Sequence, residues 1–209
     1  MLQEMIIDTT FGQVFGMSAG NPDSRLVLGI HGMSQRNGWQ TWEPLLYPLA
    51  GAGYFSLSVD MPGWGKSQLA KETNFRTADA VITARDIIKS LDKQPAAVMG
   101  KSWGGGIAFQ LALEYPDLVS KLIVTAPAFP EISRLDKLCQ PVLMAWAQDD
   151  SVIPISYAAE YVAVIPDIEL VTYDKGGHSA APKNAVDFSG KAIRFLEKSN
   201  VARVKSNTH

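Results

Sequence analysis

The stretch "VMGKSWGGGIA", residues 98–108, decides how the rest of the chain is read. An apolar run ends there in a serine set among glycines, and a run of small and apolar residues follows. Three readings compete: a phosphate-binding loop, a nucleophile on a sharp turn, and ordinary turn chemistry. A phosphate loop needs G-x-x-x-x-G-K-[ST], because two glycines shape its nest of backbone N–H groups. Gly100-Lys101-Ser102 has Pro95 where the first glycine belongs, and the similar triplet Gly65-Lys66-Ser67 has Asp60 there. G-x-S-x-G fits as Gly100, Ser102 and Gly104. That pattern serves a very tight strand-to-helix turn, with glycines removing side chains that would collide across it. The motif is short and also arises in ordinary turns, so its surroundings must arbitrate.

Outward from the motif, short apolar runs alternate with amphipathic stretches, the pattern of an α/β sheet covered on both faces. "QVFGMSAG" and "RLVLGI" are the first clear strands, followed by "YFSLSVD", "PAAVMG", "SKLIVTAP", "PVLMAWA" and "IELVTYD". Helices are predicted over "TWEPLLYPLAGAG", with Pro48 a candidate kink, and over "TADAVITARDIIKSL", "GGGIAFQLALEY", "ISYAAEYVAVI" and "NAVDFSGKAIRFLEK". The predicted domain covers 1–199, and residues 200–209 lack an apolar period and are expected to be a flexible tail.

With 209 residues the chain suits one domain with a full core. A net charge of −2 without basic or acidic runs gives no electrostatic basis for capturing nucleic acid or an anionic membrane. No apolar run approaches the roughly 18 residues that cross a bilayer, and the first residues show no secretory signal. With Cys139 the single cysteine, no disulfide can form within the chain, and a reducing cytoplasm is the expected compartment.

Ligand sites in such sheets gather where strands end in loops. The polar residues at those positions are His31, Asp60, Ser102, the neighbours Asp149 and Asp150, and His178. A nucleophilic serine needs a base, and the base needs an orienting carboxylate. Of the three histidines, His209 ends the tail and His31 precedes Gly32 in an earlier loop, where ordering that loop suits it better than proton transfer. His178, between the last strand and the last helix, is the natural base. "AWAQDDSVIP" offers Asp149 and Asp150 as the acid, with the other free to cap a turn. An oxyanion would be met by the backbone N–H of Trp103, next to the serine, and by that of Met33 in "HGMS". Trp39, Trp42, Trp64, Trp103 and Phe129 could wall a substrate site, although Trp42 precedes an apolar helix face and suits core packing.

In this order these segments resemble the α/β-hydrolase superfamily, from about Gln13 to Leu196. "LGIHGMS" resembles its oxyanion loop, "VDMPGWGKS" its D-x-x-G-x-G-x-S loop, "GKSWGGG" its nucleophile elbow and "KGGHSAAP" its histidine loop. The family's G-x-x-D-x-x-x-P acid loop puts the acid at Asp150, with Ala147 in place of the usual glycine. The resemblance implies a mostly parallel sheet of about eight strands flanked by helices, carrying a Ser102-His178-Asp150 triad. Only "PAFPEISRLDKLCQ" separates two late strands, too little for a helical cap, so the chain is similar to the small cap-less CIB-type hydrolases.

The expected activity is hydrolysis of a small acyl ester or thioester, with no metal or organic cofactor. Acyl transfer uses the same apparatus. A protein-interaction or ligand-sensing module on this fold is the alternative from another class, though no charge pattern indicates a protein partner.

Overall fold

The computed structural model describes residues 1–70 and 73–199. The tail expected over 200–209 lies outside the described residues. The strands are β1 (Gln3–Thr9), β2 (Gly12–Ala19), β3 (Leu26–Ile30), β4 (Phe55–Val59), β5 (Ala96–Lys101), β6 (Val119–Thr125), β7 (Val142–Ala147) and β8 (Ile168–Tyr173). They form one eight-stranded sheet in the order β1-β2-β4-β3-β5-β6-β7-β8. The pairs β1–β2 and β2–β4 are antiparallel, and every later pair is parallel. Strands β3 to β7 are predominantly apolar and almost wholly buried because helices cover both of their faces.

The helices are α1 (Glu43–Gly51), α2 (Thr77–Ser90), α3 (Trp103–Glu114), α4 (Ala158–Val164), α5 (Ala180–Lys183) and α6 (Ala185–Glu197). Alternate strand residues divide the core in two. Leu28, Ile30, Val98, Leu122, Val124 and Met144 pack with α2, α3 and α4. Val27, Ala97, Met99, Ile123, Leu143 and Ala145 pack with α1, α5 and α6 on the other face. Helix α1 runs through Pro48 without a break. A proline there forgoes the bond to the carbonyl of Pro44, in the first turn.

Strand β1 has no counterpart among the strands expected from the sequence. It is an edge strand, and its outer residues are solvent-facing, with Ile6 60% exposed and Ile7 buried. Between β6 and β7, residues 126–141, the one regular element among the described residues is a short 3-10 turn over Ile132–Lys137, so no cap covers the sheet edge there. Among the described residues no helix is long and apolar enough to cross a membrane.

Candidate active site

Strand β5 passes into α3 through Ser102, whose backbone sits at φ 52°, ψ −116°. A β-carbon crowds in that region, so a serine there stores strain of the order of 1–3 kcal/mol that its surroundings must hold. They do so through the backbone: Ser102 N donates to Thr125 O (3.0 Å), and Ser102 O accepts from Gly106 N (3.1 Å) and Ala128 N (2.9 Å). The elbow glycines are required by close approach. A Cβ on Gly100 would lie 2.3 Å from Gly104 O, and one on Gly104 would lie 2.4 Å from Ile30 O. Among the described residues the Ser102 hydroxyl makes no hydrogen bond, and neither does the N–H of Trp103, which opens α3. A helix start with an unspent N–H carries partial positive charge.

The acid loop after β7 and the histidine loop after β8 meet. His178 Nδ1 lies 2.9 Å from Asp150 Oδ2. The Asp150 side chain has no exposed surface, and its Oδ1 accepts Val152 N (2.9 Å) and Ile153 N (3.0 Å). A carboxylate facing Nδ1 favours the tautomer with its proton on that nitrogen, which leaves Nε2 as the acceptor. Asp149 turns the other way and takes Gly177 N at 2.7 Å, so it ties the histidine loop by its backbone. The two adjacent aspartates thus hold one loop at two points. The hydrogen bond that the Ser102 hydroxyl would donate to His178 Nε2 is not closed in this structure.

His31 occupies a different environment. It is fully buried, with Nδ1 2.7 Å from Gly32 O and Nε2 accepting Met61 N at 3.0 Å. The backbone therefore spends both ring nitrogens. Burial is the largest influence on its pKa and lowers it, against the upward pull of the Gly32 carbonyl and of Asp60. The Gly32–Met33 peptide bonded to His31 through its carbonyl carries the Met33 N–H on its other edge, and among the described residues that N–H has no acceptor. A Cβ on Gly32 would lie 3.6 Å from the Cβ of Ser102, which shows how closely this loop passes the elbow. Trp64 Nε1 donates to Met33 O at 3.0 Å from the other side.

Residues 25–137 match the family model described as alpha/beta hydrolase fold. The chain belongs to the alpha/beta hydrolase fold family. A "predicted CIB-like hydrolase" from Thermoplasma acidophilum superposes with a TM-score of 0.85, at 27% identity over 94% of this chain and 98% of that one. Naproxen esterase (carboxylesterase NP) from Bacillus subtilis shares the fold at a TM-score of 0.84 and 16% identity, over 94% and 92% of the two chains. The curated relatives include a 2-hydroxy-6-oxononadienedioate/2-hydroxy-6-oxononatrienedioate hydrolase from Pseudomonas sp, 23% identical over 91% of this chain and 95% of the relative. That alignment spans 271 positions against a chain of 209 residues, so the relative carries sequence that this one lacks. The chain is a hydrolase, similar to that CIB-like protein.

Within this alpha/beta hydrolase, Asp60 binds Trp39 N (2.7 Å) and Lys66 N (2.9 Å), and Ser67 bonds the Asp60 carbonyl, so the "VDMPGWGKS" loop is self-ordered. That loop presents Trp64, which stacks on Trp103 with ring centroids 5.1 Å apart. Of the aromatics expected as walls, Trp64 and Trp103 flank the His31 loop. Trp42 is fully buried against Gly29, and Phe129 packs on Phe109 in the core. Two polar residues escape sequence reasoning. Lys101, the residue before Ser102, reaches Asn37 Oδ1 at 3.2 Å, and Asn37 Nδ2 lies 3.3 Å from where a Gly32 Cβ would be. The one signal for Lys101 is that a long cation occupies a position inside the elbow motif.

Proposed function

We propose that this hydrolase cleaves small acyl esters or thioesters through an acyl-enzyme on Ser102. The observation that carries the reading is the serine held at φ 52°, ψ −116° on the strand-to-helix turn, which lifts its hydroxyl off the sheet. Ser102 Oγ attacks the substrate carbonyl as His178 Nε2 takes its proton. The tetrahedral oxyanion accepts hydrogen bonds from the N–H groups of Trp103 and Met33, and His31 keeps the Met33 peptide plane turned toward it. Collapse expels the alcohol or thiol, which receives the proton from His178. Water, deprotonated by the same imidazole, then attacks the acyl-enzyme, and the second collapse frees the acid and Ser102. Asp150 holds the Nδ1–H tautomer and stabilises the imidazolium in both halves. With no cap over the edge between β6 and β7, small, sterically simple acyl groups suit the open site.

A fluorophosphonate probe tests this reading. Wild-type protein is expected to be labelled stoichiometrically at Ser102, and Ser102→Ala to escape labelling. The variant should also lose turnover of an activated short-chain ester by a factor on the order of 10⁶. More than a tenth of wild-type turnover in the purified variant sinks the assignment.

A further inference from the structure

Lys101 holds a cation beside the serine without a countercharge. It shares the β5 face of Met99, the face packed by α1, α5 and α6, and it pairs in register with Thr125. Thr125 Oγ1 in turn accepts the N–H of Ala181 (3.3 Å), which brings α5 and its last residue, Lys183, onto the same side. An ammonium has three donors. Among the described residues the bond Lys101 makes goes to the neutral amide oxygen of Asn37, and it forms no ion pair with a carboxylate. The carboxylate acting on it from farther away is Asp150, whose oxygens are already given to His178, Val152 and Ile153. Burial, and then the like charge of Lys183, pull the Lys101 pKa below the usual lysine range. Holding the Lys101 cation in a half-buried place is costly unless something anionic joins it. A Cβ on Gly32 would lie 3.3 Å from Asn37 Nδ2 and 3.6 Å from the Cβ of Ser102, so the amide that Lys101 holds borders the elbow serine across one glycine.

Resting on the serine-hydrolase reading above, we propose that Lys101 binds a carboxylate carried by the substrate near its scissile bond, so that the preferred substrates are short esters or thioesters bearing a free carboxylate. Attachment on the acyl side and on the leaving-group side share this chemistry, and the test separates them. In a Ser102→Ala background, which binds without turning over, NMR titrations compare monomethyl succinate with its neutral isostere methyl 4-methylpentanoate. They likewise compare O-butyrylglycolate with isobutyl butyrate. One of the anionic esters is expected to bind at least about tenfold more tightly than its isostere, the range of a charge-assisted hydrogen bond. Lys101→Met should erase that preference and Lys101→Arg should keep most of it. A lysine that merely tied the β3–α1 loop would shift both members of a pair alike. Equal binding within both pairs, or a preference that survives Lys101→Met, overturns the proposal. Should Lys101→Met fail to fold, Lys101→Gln carries the test, with loss of the preference expected and an unaltered one overturning it. Absence of fluorophosphonate labelling at Ser102 would remove the serine reading instead, and the binding preference is measured independently of it.

Discussion

Two loops leave the carboxyl edge of the sheet with a histidine beside glycine, "HGMS" after β3 and "GGHS" after β8. As sequence they are near equivalents. In three dimensions His31 is sealed, with Gly32 O on one nitrogen and the Met61 N–H on the other. His178 keeps 17% of its side chain exposed, and among the described residues Asp150 is its one side-chain partner. A ring with both nitrogens committed to backbone is locked in one neutral tautomer and serves as a strut. A ring with a carboxylate on one nitrogen and the other unspent can take up and release a proton. What separates the two histidines here is how many ring nitrogens the fold has already used.

The largest expected effect tests that contrast directly. His178→Gln should lower turnover by about 10⁶, as loss of a triad base does, while His31→Gln, acting through the Met33 peptide, should cost about tenfold. Equal and complete losses in two folded variants would erase the distinction. The neighbouring acids sharpen it. Asp150→Asn should cost about 10⁴, because an amide facing Nδ1 favours the wrong tautomer and cannot stabilise an imidazolium. Asp149→Asn keeps an oxygen for Gly177 N and should cost less than about tenfold, with steady-state kinetics of the two variants as the check.

The smallest effect is on stability. Because burial depresses the His31 pKa, the unfolded chain takes up a proton that the folded state refuses. The stability tied to a neutral His31 is full above the ordinary value of 6.5 and is lost as pH falls toward the depressed folded value. Urea melts at about pH 7.5 and about pH 5 should show a smaller drop for His31→Gln than for wild type, and identical drops would mean that the seal is not maintained in solution.

Legibility followed burial and sequence distance. Strands β3 to β7 stood out because both of their faces are covered and most of their residues are apolar. Strand β1 did not, because an edge strand with Ile6 turned outward carries only a dilute alternation. The elbow, the histidine loop and the acid loop were marked by polar residues placed just after apolar runs. Which aspartate meets His178 was not visible in the residues themselves, since adjacent side chains on a loop diverge and only family spacing chose between them. The hydrogen bond of Lys101 to Asn37 joins residues 64 positions apart across two loops, and no local pattern encodes such a contact. The two bonds that seal His31 are also invisible in sequence, because their partners are backbone groups that any residue type would supply.

The strand order places β3 between β4 and β5, although β5 follows it by some seventy residues of chain. The elbow strand can therefore complete its pairing only after α2 has been threaded over the sheet, and β8 must dock before His178 can reach Asp150. Contacts of such long sequence separation carry the loop-closure cost that slows folding. The surroundings of Ser102 are thus built by closures that span most of the chain. The rate at which freshly diluted protein gains fluorophosphonate reactivity is a clock for global folding, and the labelled fraction at the end counts the molecules that reached the native state.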